Sequence, residues 1–94
     1  MIVTVRFIGS FCNLSGRKIA NVRLKRSCSM EDLVKVIVSD FPDMGSALVD
    51  SESGRLKSNV IMLVNGKDLS ALSGFGTNIK NGDEVVLVPI VHGG

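Results

Sequence analysis

The residues best placed for covalent chemistry are the last two, Gly93 and Gly94, reached through Asn81-Gly-Asp-Glu-Val-Val-Leu-Val-Pro-Ile-Val-His92. A glycine pair carries no Cβ, so it can enter a channel too narrow for any side chain. It leaves the α-carboxylate of Gly94 as the group projecting furthest from the domain. Glycine makes up about 7% of average sequences, so a terminal pair arises by chance roughly once in 200. A carboxylate is a poor electrophile because its charge is delocalised and repels nucleophiles. Replacing one oxygen by a good leaving group removes that obstacle and lets a nucleophile attack.

The machinery for that activation is not legible in the chain. Gly74-Phe75-Gly76 is too sparse for a phosphate loop, since no lysine or helix start follows at the needed spacing, and a turn explains it better. Asp83 and Glu84 invite an acid–base reading, but they open a strand after a tight turn, where solvation and turn chemistry account for them. His92 invites a general-base reading, since histidine as a residue type changes charge near physiological pH, yet two residues from the end it reads as a solvated linker residue. With one histidine and no Cys-x-x-Cys pair, Cys12 and Cys28 do not complete a metal set. The chain therefore reads as a carrier or subunit that supplies the reacting group, with no bound cofactor and no metal.

The elements that must position the tail follow from periodicity. Met1 to Ile8 alternates, with Val3, Val5 and Phe7 on one face and Thr4 and Arg6 on the other. A polar turn over residues 13–16, flanked by Gly9 and Gly16, leads to a second strand over residues 18–26, with Ala20, Val22 and Leu24 inward. Ser29 opens a helix with Glu31 and Asp32 in its first turn, a capping-box pattern. Leu33, Ile37 and Phe41, with Val34 and Val38 alongside, form its apolar stripe, and Pro42 ends it. Residues 43–59 are irregular, with one short turn at Ala47-Leu48-Val49 and a polar hairpin over residues 50–55. Val60 to Val64 reads as a central strand, Asn65-Gly66 as a turn requiring positive φ, Lys67 to Leu69 as a short return, and Glu84 to Ile90 as the final strand. That last strand is apolar on both faces, which places it centrally. The arrangement is α+β: a mixed sheet of four to five strands, its first and last strands adjacent and parallel, with one main helix across one face.

Composition bounds the function classes. The 94 residues make a single domain, 1–94, with 45% hydrophobic content supplied mainly by Val, Ile and Leu. Net charge is +2, from eleven basic and nine acidic residues. Arg17, Lys18, Arg23, Lys25 and Arg26 cluster, but this reads as the solvated face of an edge strand, where such charges deter edge pairing. No nucleic-acid footprint is expected. No apolar run approaches the roughly 18 residues of a membrane helix. Without a signal peptide the expected location is cytoplasmic, with both thiols free.

Together, Val64-Asn-Gly-Lys-Asp-Leu69, Asn81-Gly-Asp-Glu-Val85 and Pro89-x-Val91-x-Gly93-Gly94 resemble the molybdopterin synthase small subunit (MoaD) and related ubiquitin-like sulfur carriers. The amino-terminal hairpin, the helix after Ser29 and their spacing agree, so the resemblance spans the whole chain. It implies the β-grasp fold. It also implies that Gly94 is adenylated by an ATP-dependent enzyme of the ubiquitin-activating type and converted to a thiocarboxylate, while Gly93 gives the tail access. Implied partners are that adenylating enzyme, with ATP used by it, and the molybdopterin synthase large subunit. The chain departs from many relatives in Pro89-Ile90, where two prolines are common, and in His92, where a small residue is common. The length of residues 43–59 points to the molybdopterin type or to archaeal modifier-like carriers.

Alternation adds a docking surface. If Val85 and Leu87 face the helix, Val86, Val88 and Ile90 face away, as do Ile61 and Leu63. Leu63, Val86 and Val88 then form an exposed apolar patch beside a flexible tail over residues 91–94, and Ile90, Val91 and His92 extend the partner contact. Three readings stay open: a sulfur carrier, with the molybdopterin pathway ahead of tRNA thiolation or thiamine synthesis; a protein modifier joined to target-protein lysines; and a β-grasp interaction domain.

Overall fold

The computed structural model describes residues 1–90. The expectations placed on Val91, His92, Gly93 and Gly94, including a flexible tail, lie outside the described residues. Strand β1, Ile2–Phe7, buries Val3, Val5 and Phe7 at 0–1% exposure, as its alternation requires. The connection after it is not a bare polar turn. Gly9, at φ 58°, starts a short helix α1, Ser10–Ser15, that buries Phe11 and stops at Gly16 with φ 73°. Phe11 is the physical reason: a plain turn would leave its ring in water. Strand β2, Ile19–Arg23, pairs antiparallel with β1 and ends three residues before Arg26. Ala20 and Val22 are buried as expected, whereas Leu24 is only half-buried.

Cys28–Ser29 forms β3 and Ser29 caps helix α2, Met30–Asp40. The capping box is complete: the Asp32 N–H donates to Ser29 Oγ at 3.3 Å, and the Ser29 N–H donates to Asp32 Oδ2 at 3.0 Å. Its apolar face delivers Met30, Leu33, Val34 and Ile37 to the core, and the helix ends at Phe41, before Pro42. A 3₁₀ turn at Pro42–Met44 and helix α3, Gly45–Leu48, then bury Met44 and Leu48. Val49 bridges to Leu56, which closes the polar hairpin between them.

Strand β4, Val60–Val64, turns through Asn65 (φ 50°) and Gly66 (φ 83°) into β5, Lys67–Asp68. Two successive positive φ values are what a two-residue hairpin needs, and asparagine followed by glycine tolerates both. After 3₁₀ turns at Leu69–Ala71 and Gly74–Gly76 comes β6, Asn78–Ile79, and the last strand is β7, Glu84–Pro89. The sheet order is β2-β1-β7-β4-β5, with β1 and β7 parallel, and β3 pairs with β6 in a separate two-stranded sheet. This is the β-grasp arrangement. β7 occupies the centre, as expected. β4 is also interior, paired along its whole length with β7 and, at Leu63 and Val64, with β5. Among the described residues no helix is long and apolar enough to cross a membrane.

Candidate functional site

The site is built from the outer face of the sheet and the end of β7. On β7, Val85 and Leu87 are fully buried against the core, which turns Val86, Val88 and Ile90 outward as expected. Register then decides what lies beside them. Leu63 sits opposite Val86 and Ile61 opposite Val88, so four aliphatic side chains form one block, each partly covered by its neighbours. On the other flank Arg6 is matched to Val86, and the Ile8 N–H donates to the Leu87 carbonyl at 3.0 Å. Ile8, at 43% exposure, follows Phe7 next to the block, while Ile19, at 44%, lies beyond Arg6. Sequence reasoning expected Leu63, Val86 and Val88 as an exposed patch; the register sets them side by side, but half-buried rather than exposed. It placed Ile61 outward without counting it in the patch, and it missed Ile8 and Ile19. Continuing the Thr4, Arg6 alternation by one step would have found Ile8.

The acidic residues near the patch are structural. Asp83 accepts the Asn65 amide at 2.9 Å and the Lys80 N–H at 2.8 Å. Asn65 Oδ1 accepts the Glu84 N–H at 2.9 Å, tying the two turns together. Glu84 pairs with Arg6 at 3.0 Å, with both side chains close to half exposed, so the pair contributes at most about 1 kcal/mol. The carboxyls held below their ordinary value are elsewhere. Asp32 is lowered by the Ser29 N–H and hydroxyl, Asp50 by the Ser53 hydroxyl and N–H, and Asp68 by the Ser70 N–H and hydroxyl. Each belongs to a cap or turn. Among the described residues no group of three His, Cys, Asp or Glu is placed to hold a metal ion. Both cysteines are free: Cys12 donates to the Phe7 carbonyl at 2.7 Å, and Cys28 to the Lys25 carbonyl at 3.3 Å.

The exit of the chain is fixed by two contacts. Pro89 lies opposite Val60, and the Ile90 N–H still donates to the Asn59 carbonyl at 2.8 Å. The chain is therefore held to the sheet one residue past the proline, which itself has no N–H to give. Behind Pro89 sits Gly9, where an added Cβ would stand 3.2 Å from the proline Cγ. Gly9 thus allows close approach of the β1–α1 junction to the root of the tail. Sequence reasoning used Gly9 only as a loop flank, because its proximity to Pro89 arises from tertiary contact alone.

Comparison with known proteins adds to this geometry. The sequence profile of the ThiS family matches residues 5–94. Small archaeal modifier protein 3 of Haloferax volcanii is 28% identical over 94 residues, all of both chains. The crystal structure of SAMP1 from Haloferax volcanii superposes with a TM-score of 0.88 at 21% identity, covering 100% of each chain. A putative molybdopterin converting factor, subunit 1, from Pyrococcus furiosus gives 0.78 at 22% identity, covering 97% of this chain and 99% of that one. At these identities the two structures speak for the fold.

Proposed function

This chain belongs to the ThiS family, and we propose that it works as a sulfur carrier through the terminal carboxylate of Gly94. In this reading a partner enzyme of the ubiquitin-activating type uses ATP to form the Gly94 acyl adenylate, with pyrophosphate leaving. Hydrosulfide from the sulfur donor then attacks the acyl carbon, AMP leaves with the bonding pair, and loss of the proton leaves a terminal thiocarboxylate. Gly93 lets the chain enter the partner's channel, and Ile90, Val91 and His92 line the way in. Leu63, Val86 and Val88, with Ile61 beside them, give the partner an apolar surface at the root of the tail. The observation that carries the reading is that the family match runs through residue 94.

The use of the sulfur is the finer step. We assign it first to molybdopterin synthesis, with the synthase large subunit as the second partner, on the motif resemblance around Asn65-Gly66 and Asn81-Gly82. A second reading has a specific observation in its favour: the whole-length relative at 28% identity is a small modifier protein. There the activated Gly94 would instead acylate a lysine amine of a target protein, losing AMP and forming an isopeptide bond. Intact-mass measurement after incubation with ATP, a sulfur donor and the activating enzyme tests the carrier. The expected product is heavier by about 16 Da, one oxygen exchanged for one sulfur. An unchanged mass with every activating enzyme of the host would overturn it. A ladder of higher-mass conjugates in lysate, lost when Gly94 is deleted, would select the modifier.

A further inference from the structure

The first thirty residues of the chain hold Arg6, Arg17, Lys18, Arg23, Lys25 and Arg26 and no acid; all nine acidic residues follow from Glu31 onward. Glu84 takes Arg6, and the other bases make no ion pair among the described residues. Arg17, Lys18, Arg23, Lys25 and Arg26 are all exposed, and they bracket one element, the outermost strand β2. This edge carries a second surface, independent of the activated terminus.

Hydrogen bonding decides which way the backbone of β2 points. The Phe7 N–H donates to the Lys18 carbonyl at 2.9 Å, and the Leu24 N–H donates to the Met1 carbonyl at 2.9 Å. Antiparallel ladders alternate, so Lys18, Ala20, Val22 and Leu24 direct their backbone groups to β1. Ile19, Asn21 and Arg23 turn theirs the other way, and all three residues are exposed. β2 ends the sheet order, so no described strand lies beyond it. The open stretch is bounded: the Arg17 N–H already donates to Ser15 Oγ at 3.2 Å, and the Lys25 carbonyl already accepts from the Cys28 thiol at 3.3 Å. Between these ends lies about 16 Å of free edge, where Ile19 stands 44% exposed.

We propose that this edge receives an extended acidic segment of another protein, which adds a strand to β2 and sets its carboxylates against Arg17, Lys18, Arg23 and Lys25. Basic residues on a sheet edge deter strands of their own charge. A second copy of this chain is such a strand. Two β2 edges pairing antiparallel about Asn21 would set Arg17 of one copy opposite Lys25 of the other, and like charges so placed oppose the pair. An acidic strand meets the same residues with the opposite sign. Nucleic acid would match the charges but not the backbone. Phosphates only accept hydrogen bonds, which leaves the outward carbonyls of Ile19, Asn21 and Arg23 without donors, and β2 carries no aromatic ring on which a base could stack. An edge that served only to repel strands would have no use for the exposed Ile19, whereas an added strand can lay an apolar side chain beside it. Main-chain pairing then supplies affinity, and the carboxylates select the partner.

The test is titration of the isotopically labelled full chain with the peptide acetyl-Asp-Glu-Val-Thr-Val-Glu-Asp-amide, followed by amide chemical shifts. Saturable shifts are expected at Ile19, Asn21 and Arg23. Affinity should be at least tenfold weaker in the double variant Arg23→Glu, Lys25→Glu and for the peptide with lysines in place of its acids. The peptide N-methylated through Val-Thr-Val, which keeps every charge and cannot pair as a strand, should lose as much. A chain lacking Gly94 is expected to bind equally, which separates this site from the tail chemistry. The proposal is overturned by equal binding of the N-methylated peptide, by indifference to the charge reversal, by shifts confined to Ile61 and Val86, or by no saturation up to about 5 mM peptide. Oligothymidylate that moves the same amides at lower concentration than the peptide would overturn it in favour of nucleic acid. Shifts at these residues that grow with protein concentration alone would overturn it in favour of a second copy.

Discussion

The two faces of the sheet are made by the same strands and obey different demands. On the inner face Val3, Val5, Phe7, Val85, Leu87 and Met62 are 0–1% exposed and packed against α2. On the outer face Thr4, Arg6, Glu84, Val86, Val88, Ile61 and Leu63 alternate with them and remain partly or fully open to water. Folding by itself needs the first set. An antiparallel or mixed sheet can leave its second face polar at no cost to the core. The half-buried aliphatic block Ile61, Leu63, Val86 and Val88 therefore exceeds what the core requires, and it is the surface that the proposed function gives to a partner.

The comparison breaks most sharply at the tail. Deleting Gly94 is expected to abolish acyl-adenylate formation, read as the loss of ATP–pyrophosphate exchange with the activating enzyme, while the melting temperature stays within about 2 °C of wild type. Retained exchange would detach the chemistry from the last residue. Next come paired substitutions on β7. Leu87→Ala opens a cavity in the fully buried layer and is expected to cost about 3 kcal/mol in urea unfolding. Val88→Asp, one residue along on the outer face, should change stability by less than about 1 kcal/mol. The same variant should weaken binding to the activating enzyme at least tenfold. If Val88→Asp unfolds the protein as Leu87→Ala does, the two faces are not functionally distinct.

A smaller effect is expected where the faces meet the tail root. Gly9 combines φ 58° and ψ −133° with a 3.2 Å approach to Pro89 Cγ. Gly9→Ala should cost about 1–2 kcal/mol through the backbone region it forces on alanine. Only the steric part can be relieved by shortening the neighbour. A double-mutant cycle with Pro89→Ala is expected to show coupling of about 0.5 kcal/mol. Strict additivity would mean that the junction does not touch the exit strand in solution.

How much of this was legible beforehand follows from range. Alternation in β1, the Ser29–Asp32 box and the Asn65-Gly66 turn are local signals, and each produced the expected element. Helix α1 was missed because six residues show too little periodicity, and its flanking Gly9 and Gly16 looked like hairpin punctuation. The β3–β6 pair was missed because two-residue strands have no period at all: Cys28 meets Ile79 only through long-range pairing. β4 was read as an interior strand followed by a short return, and the sheet order places it between β7 and the two-residue β5. In the site, alternation was enough to face Leu63, Val86 and Val88 outward. The four-residue block needed the register of β4 on β7, which puts Ile61 against Val88 and no neighbour rule supplies.

The smallest expected effect concerns acid, and it separates the turns from both faces. Asp32 is held below its ordinary value first by the Ser29 N–H, then by the Ser29 hydroxyl, with the burial penalty opposing and Lys35 adding a minor attraction. A carboxyl whose pKa is lower folded than unfolded stabilises the fold fully above its unfolded value, near 4, and loses that contribution as pH falls through the folded value. Asp50 and Asp68 act in the same direction from their own turns. The midpoint of urea unfolding is therefore expected to hold steady from pH 7 to about 5 and to fall below about 4. Asp32→Asn keeps an oxygen that can accept from Ser29 but cannot titrate. Its acid limb should be flatter than that of wild type. An identical acid limb in Asp32→Asn would mean that the capping box is not formed in solution, and the helix that presses the inner face against the core would need another anchor.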